Sequence, residues 1–406
     1  MPDEAIERSS AEMENTSVFR ELARDGRNAV RRSVARSPNC PEEVLRELAK
    51  DRDPYVRECV AENPNCPMDV LEQLAHDEDV HVRVEVARNP NCPEGLLREL
   101  AKDELIRASI GMDFENPCGL LMELAKAIVE NPNCPEGLLR ELAEDEIDVF
   151  RWTVAESSRC PADLLEVLSG DSSSSVRAGV ARNPNCPEGL LRKLAKDEDH
   201  YVRKIVAENP NCPMDVLEQL AHDEDHYVRV EVARNRNCPE EVLRELAEDG
   251  DHYVRECVAE NPNCPMDVLE QLAHDEDRYV RMAVARNRNC PEEVLRELAE
   301  DGDPLIRAGV ARNPNCPMDV LEQLAHDEDV HVRMAVPENP NCPEGLLREL
   351  AKDEDPFVRK DVAENPNCPM NVLEQLARDE DRYVRQTALE NRRRLGHVAG
   401  RSLAAC

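Results

Sequence analysis

Aromatic side chains are scarce in this chain, 3% of 406 residues, and glycine occurs only fourteen times. So small an aromatic share suits thin layers of aliphatic side chains better than one deep core. Few glycines leave little room for loops that cradle phosphate, and no Ser/His/Asp grouping and no His-Glu-x-x-His stretch occurs. The reading is therefore of a protein that is not an enzyme and carries no cofactor or metal. A run of about 18 apolar residues is missing too, so no membrane-crossing helix is expected. The opening stretch MPDEAIERSSAEMENTS is acidic and polar, with no apolar region for a signal peptide, which makes the cytoplasm the expected location. Positive charge is in short supply: 51 Lys and Arg against 86 Asp and Glu give a formal charge of −35. Such a chain repels phosphate backbones and anionic lipid heads, so direct nucleic-acid or membrane binding is not expected.

What the chain does have is repetition. Cysteines stand at 40, 66, 92 and 118, then at 134, 160, 186 and every 26 residues to 368. The period breaks once, by a step of 16 instead of 26. Each unit reads N-P-N-C-P-x-x-[VL]-L-x-x-L-A-x-D-x-D-x-x-V-R-x-x-V-A-x, in two alternating flavours that give a 52-residue super-repeat. The stretch NPNCPMDVLEQLAHDED, first seen at Asn63 to Asp79, returns unchanged three times.

Local chemistry makes two short helices of each unit. Asn63-Pro64 reads as a turn, Pro67 suits the first helical position, and Val70, Leu71 and Leu74 line one face, predicting a helix of about ten residues. Asp53, Asp303 and Asp355 precede proline and read as N-caps of a second, shorter helix, with Val56 and Val60 as its apolar pair. Neither helix hides its apolar face alone, so units must stack on one another.

The pattern NPNCPxxLLxxLAxDxDxxVRxxVA resembles the leucine-rich repeat variant family. The resemblance implies an all-α solenoid of about 14–15 two-helix repeats, one helix α and the other short α or 3-10, wound into a right-handed superhelix. It covers roughly residues 16–390, leaving a polar tail over 1–15 and a basic cap or tail over 391–406. An iron–sulfur cysteine cluster ahead of the repeats, found in some members, does not carry over, because Cys40 is the first cysteine and already stands in the repeat column.

The cysteine column, Cys66, Cys92, Cys212 and Cys264 among them, reads as structural. Helical layers lie about 8–10 Å apart, too far for a disulfide or a shared zinc between rungs. Cys59 and Cys257, seven residues ahead of column cysteines, leave a pairing with Cys66 and Cys264 open. The arginines of V-R, including Arg57, Arg203 and Arg229, and the aspartates of A-x-D, including Asp51 and Asp197, read as forks that tie successive turns together. His76, His222, His274 and His326 lie too far apart to meet around one metal.

Variation concentrates in helix two. The residue after the arginine changes from unit to unit, with Glu58, Trp152, Lys204, Met282 and Met334 among its occupants. Two residues before that arginine stand all six tyrosines, Tyr201, Tyr227, Tyr253 and Tyr279 among them. This stripe either seals the seam between units or presents amphipathic anchors to a partner. Around 104–130 two adjacent units are incomplete, and helix one is expected to run on through Ala125, Ile128 and Val129. The functional expectation is a scaffold that binds a basic protein through an acidic surface; the alternatives are a mimic of DNA that sequesters a nucleic-acid-binding protein and, third, a metal or redox protein.

Overall fold

The computed structural model describes residues 16–103 and 119–403, with side chains to 394; the expected tail over 1–15 and the segment 104–118 lie outside the described residues. Two compact units divide the chain, Met1–Val206 and Ala207–Cys406. Each is an all-α solenoid of tandem two-helix repeats, and among the described residues there is no strand.

Helix one is shorter than its pattern suggested. Met68–Leu74 spans seven residues, and Pro67 stands before it as an extended N-cap at φ −63° and ψ 149°. Its carbonyl accepts the N–H groups of Val70 and Leu71 at 3.0 Å each. Proline therefore opens the helix from the cap position, where it lends an acceptor and withholds no donor. Val70, Leu71 and Leu74 are buried.

Helix two is the longer member, nine residues in Pro54–Glu62 and His226–Arg234, and it is an α-helix. The Asp53 carboxylate accepts Tyr55 N–H at 3.0 Å, with Pro54 at the first position, and Asp303 and Asp355 cap in the same way. Within each unit helix two lies against helix two of the next rung, Pro54–Glu62 on Val80–Arg88 and His252–Glu260 on Arg278–Arg286.

Stacking is fixed by a ladder of buried asparagines, the first of each N-P-N. Asn89 Nδ2 donates to Ala61 O at 2.6 Å and to Asn63 O at 2.9 Å, and its own Oδ1 accepts Asn91 N–H at 2.9 Å. In the second unit Asn261 holds Ala233 O at 2.6 Å and Asn235 O at 3.1 Å. Carbonyls in the last turn of a helix have no partner within it. One amide thus supplies the donor that the last-turn carbonyl needs, and a second donor to the cap carbonyl, which also takes a backbone N–H, Cys66 on Asn63 O at 2.9 Å and Cys238 on Asn235 O at 3.0 Å.

The irregular stretch keeps this ladder by other means. Gly119–Glu130 is a single 12-residue helix that buries Ala125, Ile128 and Val129. It takes the place of a helix two: it lies against both Val80–Arg88 and Asp148–Glu156, and Asn131 donates to Ala87 O at 2.7 Å and Asn89 O at 2.8 Å. One rung later Ser157 stands in the asparagine column. There the Arg159 guanidinium donates to Val129 O at 3.0 Å and to Asn131 O, the two carbonyls an asparagine at 157 would hold.

At the other end, helix two of the last rung does not stop near 390. Arg382–Leu403 is one helix, so the segment read as a separate basic tail continues it. No described helix is long and apolar enough to cross a membrane.

Candidate functional site

Helix two carries three columns on one stripe, because residues at i, i+3 and i+7 share a face. The capping aspartate sets the first. Asp225, Asp251 and Asp277 accept the N–H of Tyr227, Tyr253 and Tyr279 at 2.8, 2.8 and 2.7 Å, and Asp199 that of Tyr201 at 2.9 Å. The cap pins the backbone of the aromatic residue while the ring stays outside the seam. All six tyrosines are between 41% and 66% exposed, and Phe357 is 61% exposed. In the second unit His226 lies on Tyr227 and His252 on Tyr253, with centroids 3.9 and 4.1 Å apart.

The second column is more enclosed. Glu58, Trp152, Lys204, Met282 and Met334 are half-buried, and Val84, Ala178, Val230 and Ala308 are buried. It follows the line where neighbouring helices two touch, so it serves the seam as well as the surface. Burial raises the carboxyl pKa of Glu58 and Glu256.

The third column was not singled out in the sequence, although its signal, a glutamate or an arginine just before the column asparagine, is plain once the face is known. Arg36 pairs with Glu62 at 3.2 Å, Arg182 with Glu156 at 3.8 Å, and Arg312 with Glu338. The methionines that open helix one in the alternate flavour were missed as well. Met68, Met214, Met266, Met318 and Met370 are 43–65% exposed.

The residues read as structural lie deeper. The fork of Arg57 spans Asp77 at 2.7 and 2.8 Å, and its third nitrogen reaches Asp51 O at 2.7 Å. Arg31 holds the Asp51 carboxylate at 2.6 and 2.9 Å, Arg177 holds Asp197 at 2.7 and 2.8 Å, and Arg229 holds Asp249 at 2.6 and 3.0 Å. Arg203 is buried and donates to Asp197 O at 2.8 Å. At Asp197 burial pushes the carboxyl pKa up, but the Arg177 fork and the Asp199 N–H outweigh it and the net shift is downward. Cys66, Cys92, Cys212 and Cys264 are buried. Burial pushes the thiols of Cys66, Cys92 and Cys264 up to about 12. Cys59 and Cys257 are free, so the pairing left open for them is absent. His222 and His274 each meet a carboxylate of the next rung, Glu245 at 2.9 Å and Glu297 at 3.0 Å. Among the described residues no group of three or more His, Cys, Asp or Glu could hold a metal ion.

Comparison with known proteins places the chain. The family model described as leucine rich repeat variant matches residues 54–79, 80–105, 175–199, 202–225, 254–277 and 304–329. A solved structure described as a leucine-rich repeat variant with a novel repetitive protein structural motif is 33% identical over 54% of this chain and 87% of that one, with a TM-score of 0.42. The chain belongs to the leucine-rich repeat variant family. Two further solved structures match this leucine-rich repeat variant at low identity. An engineered protein is 17% identical, covering 93% of this chain and 98% of that one, with a TM-score of 0.18. Kap121p bound to RanGTP is 13% identical over 94% and 48%, with a TM-score of 0.38. No curated protein matches the sequence.

Proposed function

We propose that this leucine-rich repeat variant is a non-enzymatic scaffold whose helix-two face binds a basic protein. The observation that carries the reading is the exposed tyrosine column. Tyrosine offers large contact area with few torsions to freeze, and its copies stand outside the seam at one position of helix two, two in the first unit and four in the second. Beside it the middle residue of D-x-D projects into solvent, with Glu78, Glu354 and Glu380 side chains 90–92% exposed. With a formal charge of −35, this surface steers a basic partner towards the rings and repels nucleic acid and anionic lipid.

Mimicry of DNA is less well supported. The projecting D-x-D glutamates come once per rung, and rungs of packed helices are spaced about 8–10 Å apart, against about 3.4 Å between phosphates of one strand. The A-x-D carboxylates are also taken up by arginine forks. A metal or redox role finds no ligand cluster among the described residues.

The test compares the wild-type protein with a Tyr227→Ala/Tyr253→Ala/Tyr279→Ala variant in capture from native lysate at low and moderate salt. A basic protein held by the wild type, released by salt and lost by a variant of unchanged thermal stability supports the reading. Retention by a correctly folded variant removes the tyrosine column from the interface.

A further inference from the structure

Where the middle column of the first unit carries its largest residue, the face opens into a groove of about 320 Å³. Met122, Val149 and Trp152 give it an apolar wall, and Asp148, Arg182 and Tyr201 its polar rim. Trp152, the one tryptophan of the chain, fits there because the next rung carries glycine. A Cβ at Gly179 would come within 3.0 Å of Trp152 Cδ1 and 3.2 Å of its carbonyl oxygen.

Three features define what the groove prefers. The indole already attracts a cation, since Lys126 Nζ lies 5.3 Å from its ring centroid. Lys126 itself is exposed, so that contact can be exchanged. The Asp148 carboxylate takes a hydroxyl hydrogen bond from Ser173 at 3.2 Å and forms no ion pair among the described residues, whereas Arg182 is engaged by the Tyr201 hydroxyl at 3.4 Å and by Glu156. The chain from 119 to 206 carries sixteen acidic and eleven basic residues, so the local field also favours positive charge.

We infer that the Trp152–Tyr201 groove is an anchor pocket for one lysine or arginine side chain of the basic partner, and that Lys126 occupies the indole as an internal substitute until that side chain displaces it. The aliphatic stem would lie along Met122 and Val149, with the charged end over the indole and against Asp148, the arrangement in which ring and carboxylate attract one cation together. The inference rests on the proposed basic partner and adds where, and by which chemistry, that partner is held.

The sole tryptophan makes the test direct. A decapeptide of alternating arginine and glycine is titrated into the full chain at low salt, followed by Trp152 emission and by calorimetry, with an alternating glutamate–glycine peptide beside it. Emission should change saturably with the basic peptide alone. Asp148→Asn should weaken binding about threefold to fivefold, and Lys126→Ala should strengthen it by a similar factor, as expected for one exposed cation contact. Lys50→Ala, which removes the same charge several rungs away, should change it by less. Basic peptide that binds by calorimetry without moving Trp152 emission, and without sensitivity to Asp148→Asn, overturns the pocket and leaves the basic-partner reading standing. Absence of any calorimetric binding overturns that broader reading. A Trp152 response to the glutamate peptide shows that Lys126 and Arg182 define an anion site, and the inference is wrong. Circular dichroism melts of the exposed-residue variants confirm that folding is unaltered.

Discussion

The rungs of the second unit and the irregular rungs of the first solve the same stacking problem with different parts. From 209 to 391 nearly every rung shows both devices: an asparagine on two carbonyls, as at Asn261 and Asn313, and an arginine fork on the next aspartate, as at Arg255 and Arg307. In Gly119–Glu130 the fork is dispensed with, since Ala125 fills the arginine's place, and it returns one rung later with Arg151 on Asp171 at 2.7 and 2.9 Å. The carbonyl capture survives, through Asn131 and then through Arg159 in place of Ser157. Buried carbonyls exist in every rung whatever the side chains are, so their donors cannot be omitted. The arginine is optional: where Ala125 replaces it, Asp145 stays in its column and still accepts Ile147 N–H at 2.9 Å.

The largest effect should follow from breaking the shared device. Asn261→Ala leaves Ala233 O without a donor, takes one of two donors from Asn235 O, which keeps Cys238 N–H at 3.0 Å, and removes the acceptor of Asn263 N–H. It should cost about 4 kcal/mol in thermal or denaturant melts, roughly 2 for the unmet carbonyl and about 1 for each of the other two bonds. Arg159→Ala should cost nearly as much in the irregular region; a neutral result would mean that capture is dispensable there and that the comparison fails. Next comes the optional device. Arg255→Ala leaves Asp275 enclosed without its partner and should cost about 3 kcal/mol, and adding Asp275→Asn should recover most of the loss.

A smaller, pH-dependent effect is expected at Asp361, which is buried on helix two of a regular rung with Oδ2 lacking any hydrogen-bond partner. Burial raises its pKa to about 6 against opposition from Lys360, while Glu338 of the preceding rung and Glu364 of its own helix add to the rise. Lys360 approaches it at 3.7 Å, Arg312 engages Glu338, and the following helix brings Glu390 and Arg394 to the neighbouring cavity with Glu364. The folded state holds this proton to higher pH than the unfolded chain, so stability is full below about pH 4, falls as pH rises towards 6 and stays reduced above. Asp361→Asn should abolish that slope and gain about 2 kcal/mol at pH 7. Least of all, Pro337→Ala should gain about 1 kcal/mol. Proline stands in the last turn of Val330–Glu338, where the neighbouring rungs carry Ala311 and Ala363, and its carbonyl would still accept from Asn365.

The period, the helix pairs and the aspartate caps were legible because each rests on local rules: spacing of Val and Leu, proline at a helix start, a carboxylate two residues before an N–H. Lengths were less so. Helix one ends after Leu74 because Ala75 closes it over the D-x-D turn, and helix two gains residues up to the buried asparagine. The asparagine ladder escaped notice because Asn63-Pro64 explains itself as a turn, and nothing local reveals that Asn63 Nδ2 reaches Ala35 O, 28 residues back. For the candidate site, the tyrosines could be named from phase alone, but seam and solvent differ by a rotation of the helix that only the neighbouring rungs fix. Arg159 is the instructive case: two residues past the ladder column, in the place of the second asparagine of N-P-N, it looks like a loop substitution until the carbonyls it holds are seen.

The ladder also changes what counts as the same protein. Its regular bonds join residues 26 and 28 apart, whereas Asn131 makes the equivalent pair across 42 and 44, with no change in the carbonyls captured. The architecture therefore numbers rungs and is indifferent to the length of chain between them. Sixteen extra residues were admitted at one step without altering the register of the next. That step is a ready site for splicing foreign sequence, a tag or a second binding module, into a scaffold whose remaining rungs would not register the change.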